Sequence, residues 1–161
     1  SVYLTSSGGS LQPSPGARSP RTFIVNGDLV MSIVFDGEAS ETLELGYRTA
    51  PDRSIKTEIL FPLQRDITLG GLFDRVEEGN RTQCAACHTG ETFTNHEAFP
   101  QGVYESSVLV PQSVFTVDLE SLRAEEAACD PVLERNRCGM LDAFFDYGEV
   151  QPSSWPGTGS F

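Results

Sequence analysis

The chain has 161 residues, which is enough for one domain with its own hydrophobic core or for two small domains. Hydrophobic residues make up 39% of it and charged residues 21%, a balance typical of a folded rather than a disordered chain. The net charge of −12 disfavours binding to nucleic acid and favours a partner with a basic surface. No apolar run approaches the roughly 20 residues of a membrane-spanning helix.

Residues 1–21 are dominated by Ser, Gly and Pro, which fill eleven of the sixteen positions from 5 to 20. Such a composition cannot build a hydrophobic core and predicts a flexible arm. An arm of this kind would suit a protein that is anchored further upstream, for instance by a lipid.

Residues 22–62 predict an antiparallel β region, arranged as a meander or as half of a sandwich. Turn residues separate the apolar runs, as at Asn26-Gly27-Asp28. One run alternates and is expected to place Leu43, Leu45 and Tyr47 on the same face. The predicted strands cover 22–26, 29–35, 42–48 and 54–61.

The sequence pattern of residues 63–161 predicts a loop-rich region with two or three short helices. This region is expected to pack with the β region as one compact unit. Asp118 is a candidate N-cap for a helix over 119–128, and Pro131 is a start signal for a further turn. A second helix is expected over 137–147, followed by a tail rich in Pro, Gly and Ser. The predicted fold class is therefore α+β.

The most informative motif is the pentapeptide Cys84-Ala85-Ala86-Cys87-His88. Two residues between the cysteines set the thiols at the spacing of the two vinyl groups of haem. A histidine directly after them can reach the iron. From this composition, the pattern arises by chance in about one chain in a thousand.

Three other readings of the two cysteines compete with haem attachment. A thioredoxin-like redox pair needs a strand before it and a helix after it, which the flanking residues do not predict. A zinc site could use Cys84, Cys87, Cys129 and Cys138, although the second pair is spaced too widely for a zinc knuckle. A direct disulfide between Cys84 and Cys87 would be strained.

Through this motif the chain resembles the c-type cytochromes. The resemblance implies one covalent haem c, thioethers at Cys84 and Cys87, His88 as proximal iron ligand, and electron transfer. It also implies assembly in the periplasm or outside the cell, with redox proteins as partners, either free or in a membrane-attached complex. The chain differs from the common small cytochrome c in placing a β region of about forty residues before the motif.

A weaker resemblance is to β-rich haem proteins of the cytochrome P460 and c′-β type. In P460 a lysine is bonded to the haem, and Lys56 is the single lysine of this chain. This resemblance implies an alternative function, a haem enzyme or gas sensor with an open iron site. A third alternative is a structural or assembly subunit in which haem serves as a scaffold.

The sixth iron ligand has few candidates in the sequence. Met140 is the first choice, because a thioether at a similar distance from the motif serves this role in small cytochromes c. His96 is the alternative, and Met31 is interpreted as a core residue in a strand. Cys129 and Cys138 are expected to form a structural disulfide between two helices, and no catalytic residue is predicted.

Overall fold

The computed structural model describes residues 2–5, 13–14, 16–63, 66–109 and 116–150. The described strands are β1 (Val2–Thr5), β2 (Arg21–Asn26), β3 (Leu29–Val34), β4 (Thr42–Ala50), β5 (Arg53–Leu60), β6 (Glu77–Glu78), β7 (Arg81–Thr82), β8 (Thr92–Thr94) and β9 (Val103–Ser107). The described helices are α1 (Leu69–Asp74), α2 (Leu119–Ala127) and α3 (Arg135–Asp146), and a short 3₁₀ helix covers Gln83–Ala86.

The strands form one seven-stranded sheet in the order β1-β2-β3-β4-β5-β9-β8, and β6 and β7 form a small separate hairpin. Every pairing among the described strands is antiparallel. The first five strands follow one another as neighbours, so the predicted meander is confirmed. With the helices after the meander, the predicted α+β class is confirmed as well.

The alternation of β4 divides the sheet into two faces. Tyr47 pairs with Ile55 and Leu45 with Thr57, so these side chains share a face, as the sequence pattern predicts for Leu45 and Tyr47. Gly46 pairs with Lys56 between them, so Lys56 points to the opposite side. We refer to these as the Tyr47 face and the Lys56 face.

Two hydrophobic clusters hold the helices against the sheet. In the first, Phe73 of α1 packs with Ile55 and Val103, and Phe99 packs against them from the segment before β9. The second consists of Phe35, Leu122 and Leu141, so it joins the end of β3 to α2 and α3. Non-local packing of this kind stabilises helices that are too short to persist alone.

The connection between α2 and α3 carries the predicted disulfide. Cys129 and Cys138 are bonded to each other. Helix α3 begins at Arg135, two residues before the predicted start at 137, and the backbone at Glu134 separates it from the turn predicted at Pro131. The side chain of Asp130 accepts the N–H of Val132 and closes a separate turn first.

Buried Arg137 ties this disulfide loop to the segment before β2. Its side chain is 2% exposed and forms ion pairs with Glu125 and Glu134. Its Nε donates to the Arg18 carbonyl at 2.8 Å, and one Nη lies 3.2 Å from the Cys129 sulfur. One side chain therefore connects α2, α3 and the start of the sheet.

Replacing Cys129 and Cys138 together by serine should lower the free energy of unfolding by about 2–3 kcal/mol. The reason is that the bond closes a loop with a sequence separation of nine, which restricts the unfolded chain. Urea denaturation followed by circular dichroism measures the change. The unaltered protein under reducing conditions should match the variant, and equal stability before and after reduction would argue against the expectation.

Some segments differ from the sequence-based expectation. Val2–Thr5 pair along β2 as strand β1, although they fall within the predicted arm 1–21, because the Ser/Gly/Pro-rich part begins only at the end of this strand. The region 63–161, expected to be loop-rich apart from its short helices, also contains strands β6 to β9, and helix α1 lies before the two helices placed by sequence. The C-terminal tail, residues 151–161, lies outside the described residues.

Candidate haem-attachment site

The pentapeptide at 84–88 is folded into a single tight turn. The 3₁₀ helix begins after Thr82, and the backbone N–H groups of Cys87 and His88 both donate to the Cys84 carbonyl, at 3.1 and 2.9 Å. This turn carries both thiols and leads directly into the histidine. Local hydrogen bonds therefore hold the three candidate ligand residues in one short unit.

The chain on the N-terminal side of the turn is held by a carboxylate. Glu91 accepts from the backbone N–H of Thr82 at 2.7 Å and from its hydroxyl at 2.6 Å. The Gln83 N–H donates to the carbonyl of Val76, which is buried. The position at which the turn begins is thus tied to the residues that follow the motif.

Arg53 of β5 holds the chain on the C-terminal side. Its guanidinium donates to the carbonyl of Gly90 at 2.8 Å, to the Thr92 hydroxyl at 3.0 Å and to the Glu105 carbonyl at 2.8 Å. Gly90 has a φ of +65°, and a Cβ there would lie 3.3 Å from the guanidinium. Glycine therefore suits both the backbone and the close approach.

The two thiols of the motif are not bonded to each other or to another cysteine. Cys84 is half-buried and Cys87 is exposed. Burial raises the pKa of the Cys84 thiol, against the opposing effects of a hydrogen bond to Thr82 and the charge of Lys56. Cys84 is therefore held as a neutral thiol at pH 7, unlike the reactive thiolate of a redox CxxC pair.

The hydrogen bond of His88 defines which ring nitrogen is free. Nδ1 lies 3.0 Å from the carbonyl oxygen of Ser107. A carbonyl oxygen can only accept, so Nδ1 carries the proton and the lone pair is on Nε2. Metal-binding histidines are commonly oriented in this way, with one nitrogen fixed by a carbonyl and the other facing the metal.

His88 is also electrostatically suited to be a neutral ligand. Burial lowers its pKa to about 4, and the positive charges of Lys56 and Arg21 contribute in the same direction. The bond to Ser107 acts in the opposite sense but does not outweigh them. The imidazole is therefore uncharged at pH 7, as a metal ligand must be.

This lowered pKa predicts a loss of stability on acidification of the chain without haem. An unfolded His88 takes up a proton near pH 6.5 and the folded one only near 4, so the free energy of unfolding falls as the pH drops through that window. Because His88 is partly exposed, we expect a loss of about 2 kcal/mol rather than the full shift. Denaturation curves at pH 7 and pH 4 measure it. A His88→Gln variant with the same pH slope would contradict the assignment.

Lys56 lies beside His88 and shares its hydrogen-bond acceptor. The Lys56 ammonium donates to the Ser107 carbonyl at 3.1 Å and to the hydroxyls of Ser54 and Ser106 at 2.8 and 2.9 Å. Burial lowers the pKa of Lys56 to about 8, so it is charged at pH 7. Sequence reasoning noted Lys56 only through a family resemblance and missed the three serines.

The structure does not bring the two candidate sixth ligands next to His88. The His96 ring packs against Tyr47 and Phe99, on the face opposite Lys56. The backbone N–H of Ala98 donates to its Nδ1, so the neutral ring carries its proton on Nε2.

Met140 lies in the second hydrophobic cluster, near Leu141. It lines an apolar groove together with Ile24 and Ile33 of the sheet. Ile24 pairs with Met31, and Met31 with Leu45, so Met31 and this groove belong to the Tyr47 face as well. His88 instead lies next to Lys56, which points to the other face of the sheet and whose positive charge lowers the pKa of His88.

Two alternatives for the cysteines do not fit the structure. A zinc site with four cysteines is wrong, because Cys129 and Cys138 are used in their disulfide. A thioredoxin-like redox motif requires a parallel βαβ unit, whereas every described strand pairing is antiparallel. The motif instead follows the β6–β7 hairpin.

No family model matches the chain, and no curated protein and no solved structure is significantly similar to it. Within the described part of the chain, none of the helices is both long and apolar enough to cross a bilayer. The chemistry of the groups around residues 84–88 is therefore the main indication of function.

Proposed function

We propose that this protein is a monohaem c-type cytochrome that transfers electrons. The observation that carries the proposal is the orientation of His88, whose Nδ1 is bound to the Ser107 carbonyl while Nε2 keeps its lone pair. Two unbonded thiols lie in the same turn. This donor set fits haem c, which needs two thiols and one imidazole nitrogen.

Each residue of the motif has a distinct role in the proposal. Cys84 and Cys87 hold the haem through thioethers, and His88 binds the iron from one side. The bound haem supplies the one-electron redox chemistry. The protein contributes a fixed imidazole tautomer through Ser107 and a positive charge through Lys56.

The surroundings in which the protein acts are part of the same proposal. Covalent haem attachment takes place in the periplasm or outside the cell, where the Cys129–Cys138 disulfide is also stable. The net charge of −12 favours redox partners with basic docking surfaces. The protein would act free or as a subunit of a membrane-attached complex, with a lipid anchor upstream as one means of attachment.

The proposal is tested by producing the chain together with a c-type haem maturation system. We expect haem to remain on the polypeptide after denaturation, and reduced-minus-oxidised spectra to show a sharp α-band. In the His88→Ala variant we expect haem to stay attached but the spectrum of the iron to change. Haem that can be extracted from the unaltered chain by denaturant would contradict the proposal.

A second function, a haem enzyme or gas sensor with an open iron site, is favoured by one observation. Neither Met140 nor His96 lies beside His88 in the described residues, and both belong to the Tyr47 face. An iron without a sixth protein ligand binds small diatomic ligands.

Carbon monoxide separates the two functions. Rapid binding by the reduced protein, together with a high-spin oxidised spectrum, would favour the open site. A low-spin spectrum that changes in Met140→Ala or in His96→Ala would favour the electron carrier and identify the ligand.

A further inference from the structure

The Lys56 ammonium lies beside the motif, although neither proposed function counts it among the thiol and imidazole groups that hold the haem. Its three N–H groups can donate to the hydroxyls of Ser54 and Ser106 and to the Ser107 carbonyl, and the Ser54 and Ser106 carbonyls lie farther away, at 3.2 and 3.4 Å. Within the described residues, no carboxylate lies within ion-pair distance of it. The cage thus satisfies the hydrogen bonds of the ammonium but leaves its charge uncompensated by a direct counter-ion.

The Ser107 carbonyl joins this charge to the candidate iron ligand. Its oxygen accepts from Lys56 Nζ at 3.1 Å and from His88 Nδ1 at 3.0 Å. A carbonyl has two lone pairs and can serve both donors. The ammonium draws electron density from the oxygen, which weakens its hold on the imidazole proton. His88 is then a less electron-rich ligand than it would be with Ser107 alone.

We propose that Lys56 is a positioning residue that acts through the shared Ser107 carbonyl and its own fixed charge to raise the reduction potential of the haem bound by His88. This inference rests on the proposed function and adds a residue that regulates the same site. A partly buried positive charge disfavours the loss of an electron nearby, and a weaker imidazole hydrogen bond favours the reduced iron. Both effects therefore raise the reduction potential.

Neighbouring charges around Lys56 are mixed in sign. The positive charge of Arg53 disfavours the charged form of Lys56, whereas the negative charges of Glu91 and Glu105 favour it. Arg53 and Glu91 are already engaged with the chain on either side of the motif. These groups are common to all the variants below, so they do not affect the comparison.

Potentiometric titration of the haem-loaded protein at pH 7 tests the proposal. In Lys56→Met, which keeps an unbranched chain without charge, we expect the equilibrium to shift about tenfold toward the oxidised form, or 59 mV for one electron. Lys56→Arg should stay within threefold of the unaltered protein. Arg81→Met is the matched control, because Arg81 lies just before the motif but is exposed, and it should also stay within threefold.

A second readout does not need haem. In the metal-free chain, the Nδ1 proton resonance of His88 should move downfield in Lys56→Met, because the Ser107 carbonyl then accepts from one donor fewer. Lys56→Gln provides the same comparison if the methionine variant does not fold. An unchanged resonance, or a potential in Lys56→Met equal to that in Arg81→Met, overturns the inference. Failure to attach haem would instead contradict the proposed function, while the resonance still tests Lys56.

Discussion

Replacing Cys84 and Cys87 together by serine should abolish covalent haem attachment completely while leaving the chain folded. The thiols form no disulfide in the structure, Cys87 is exposed, and a serine at position 84 can keep the hydrogen bond of the half-buried Cys84 to Thr82, so the fold should tolerate the change. Each single variant should keep one thioether, and its pyridine haemochrome α-band should lie between those of haem c and free haem. Haem staining after denaturing electrophoresis measures the loss.

The other cysteine pair provides the matched control for this experiment. Cys129→Ser with Cys138→Ser removes the same number of sulfurs, but from the α2–α3 connection. This variant should be less stable yet still carry haem. If both double variants lost haem equally, or if the Cys84/Cys87 variant kept it after denaturation, the proposal that the motif attaches haem would be wrong.

Leu141→Ala should have the largest effect on folding, a decrease of about 3–4 kcal/mol in the free energy of unfolding. Leu141 is fully buried and packs with Leu122 and Phe35, where α2 and α3 meet the end of β3. The alanine would leave a cavity beside Phe35 and Leu122, the other two buried members of the cluster. Urea denaturation monitored by circular dichroism measures the change.

Leu133→Ala is the matched control, because it makes the same substitution at an exposed position. Leu133 lies in the nearby disulfide loop and is 81% exposed, so its truncation should change stability by less than about 0.5 kcal/mol. Similar losses for the two variants would mean that the packing of α3 on the sheet is not as described. A large loss for Leu133 alone would mean that it has an additional partner.

The strands of the meander were predictable because their signals are local. Alternation in residues 42–48 predicted that Leu43, Leu45 and Tyr47 share a face, and the pairing of β4 with β5 confirms it. The strands are separated by glycine turns, such as Gly27 with a φ of +62°. Strand ends differ by no more than two residues from the predicted ones, except at β1.

Helix α1 and strands β8 and β9 were missed because their signals are weak or non-local. Helix α1 has six residues, two of them glycine, and is held mainly by the packing of Phe73. Strand β9 is largely polar, and it exists because it pairs with Arg53–Ile55, which are about fifty positions away in the chain. No local pattern reports such a pairing.

The candidate site was likewise predictable from the sequence in one part and not in another. The motif could be identified from five residues, because thioether and iron chemistry require them in that order. The hydrogen bonds of His88 and Lys56 to the Ser107 carbonyl could not be predicted, since they depend on β5 and β9 being neighbours. The separation of Met140 and His96 from His88 also depends on which sheet face each element covers.

The most direct test of the account is the intact mass of the purified chain under denaturing conditions, after production with a c-type haem maturation system. We predict the mass of the polypeptide plus one haem, with fragmentation placing the addition on the peptide that contains Cys84 and Cys87. The bare polypeptide mass, together with haem that is released or with a zinc ion bound by Cys84, Cys87 and His88, would contradict it.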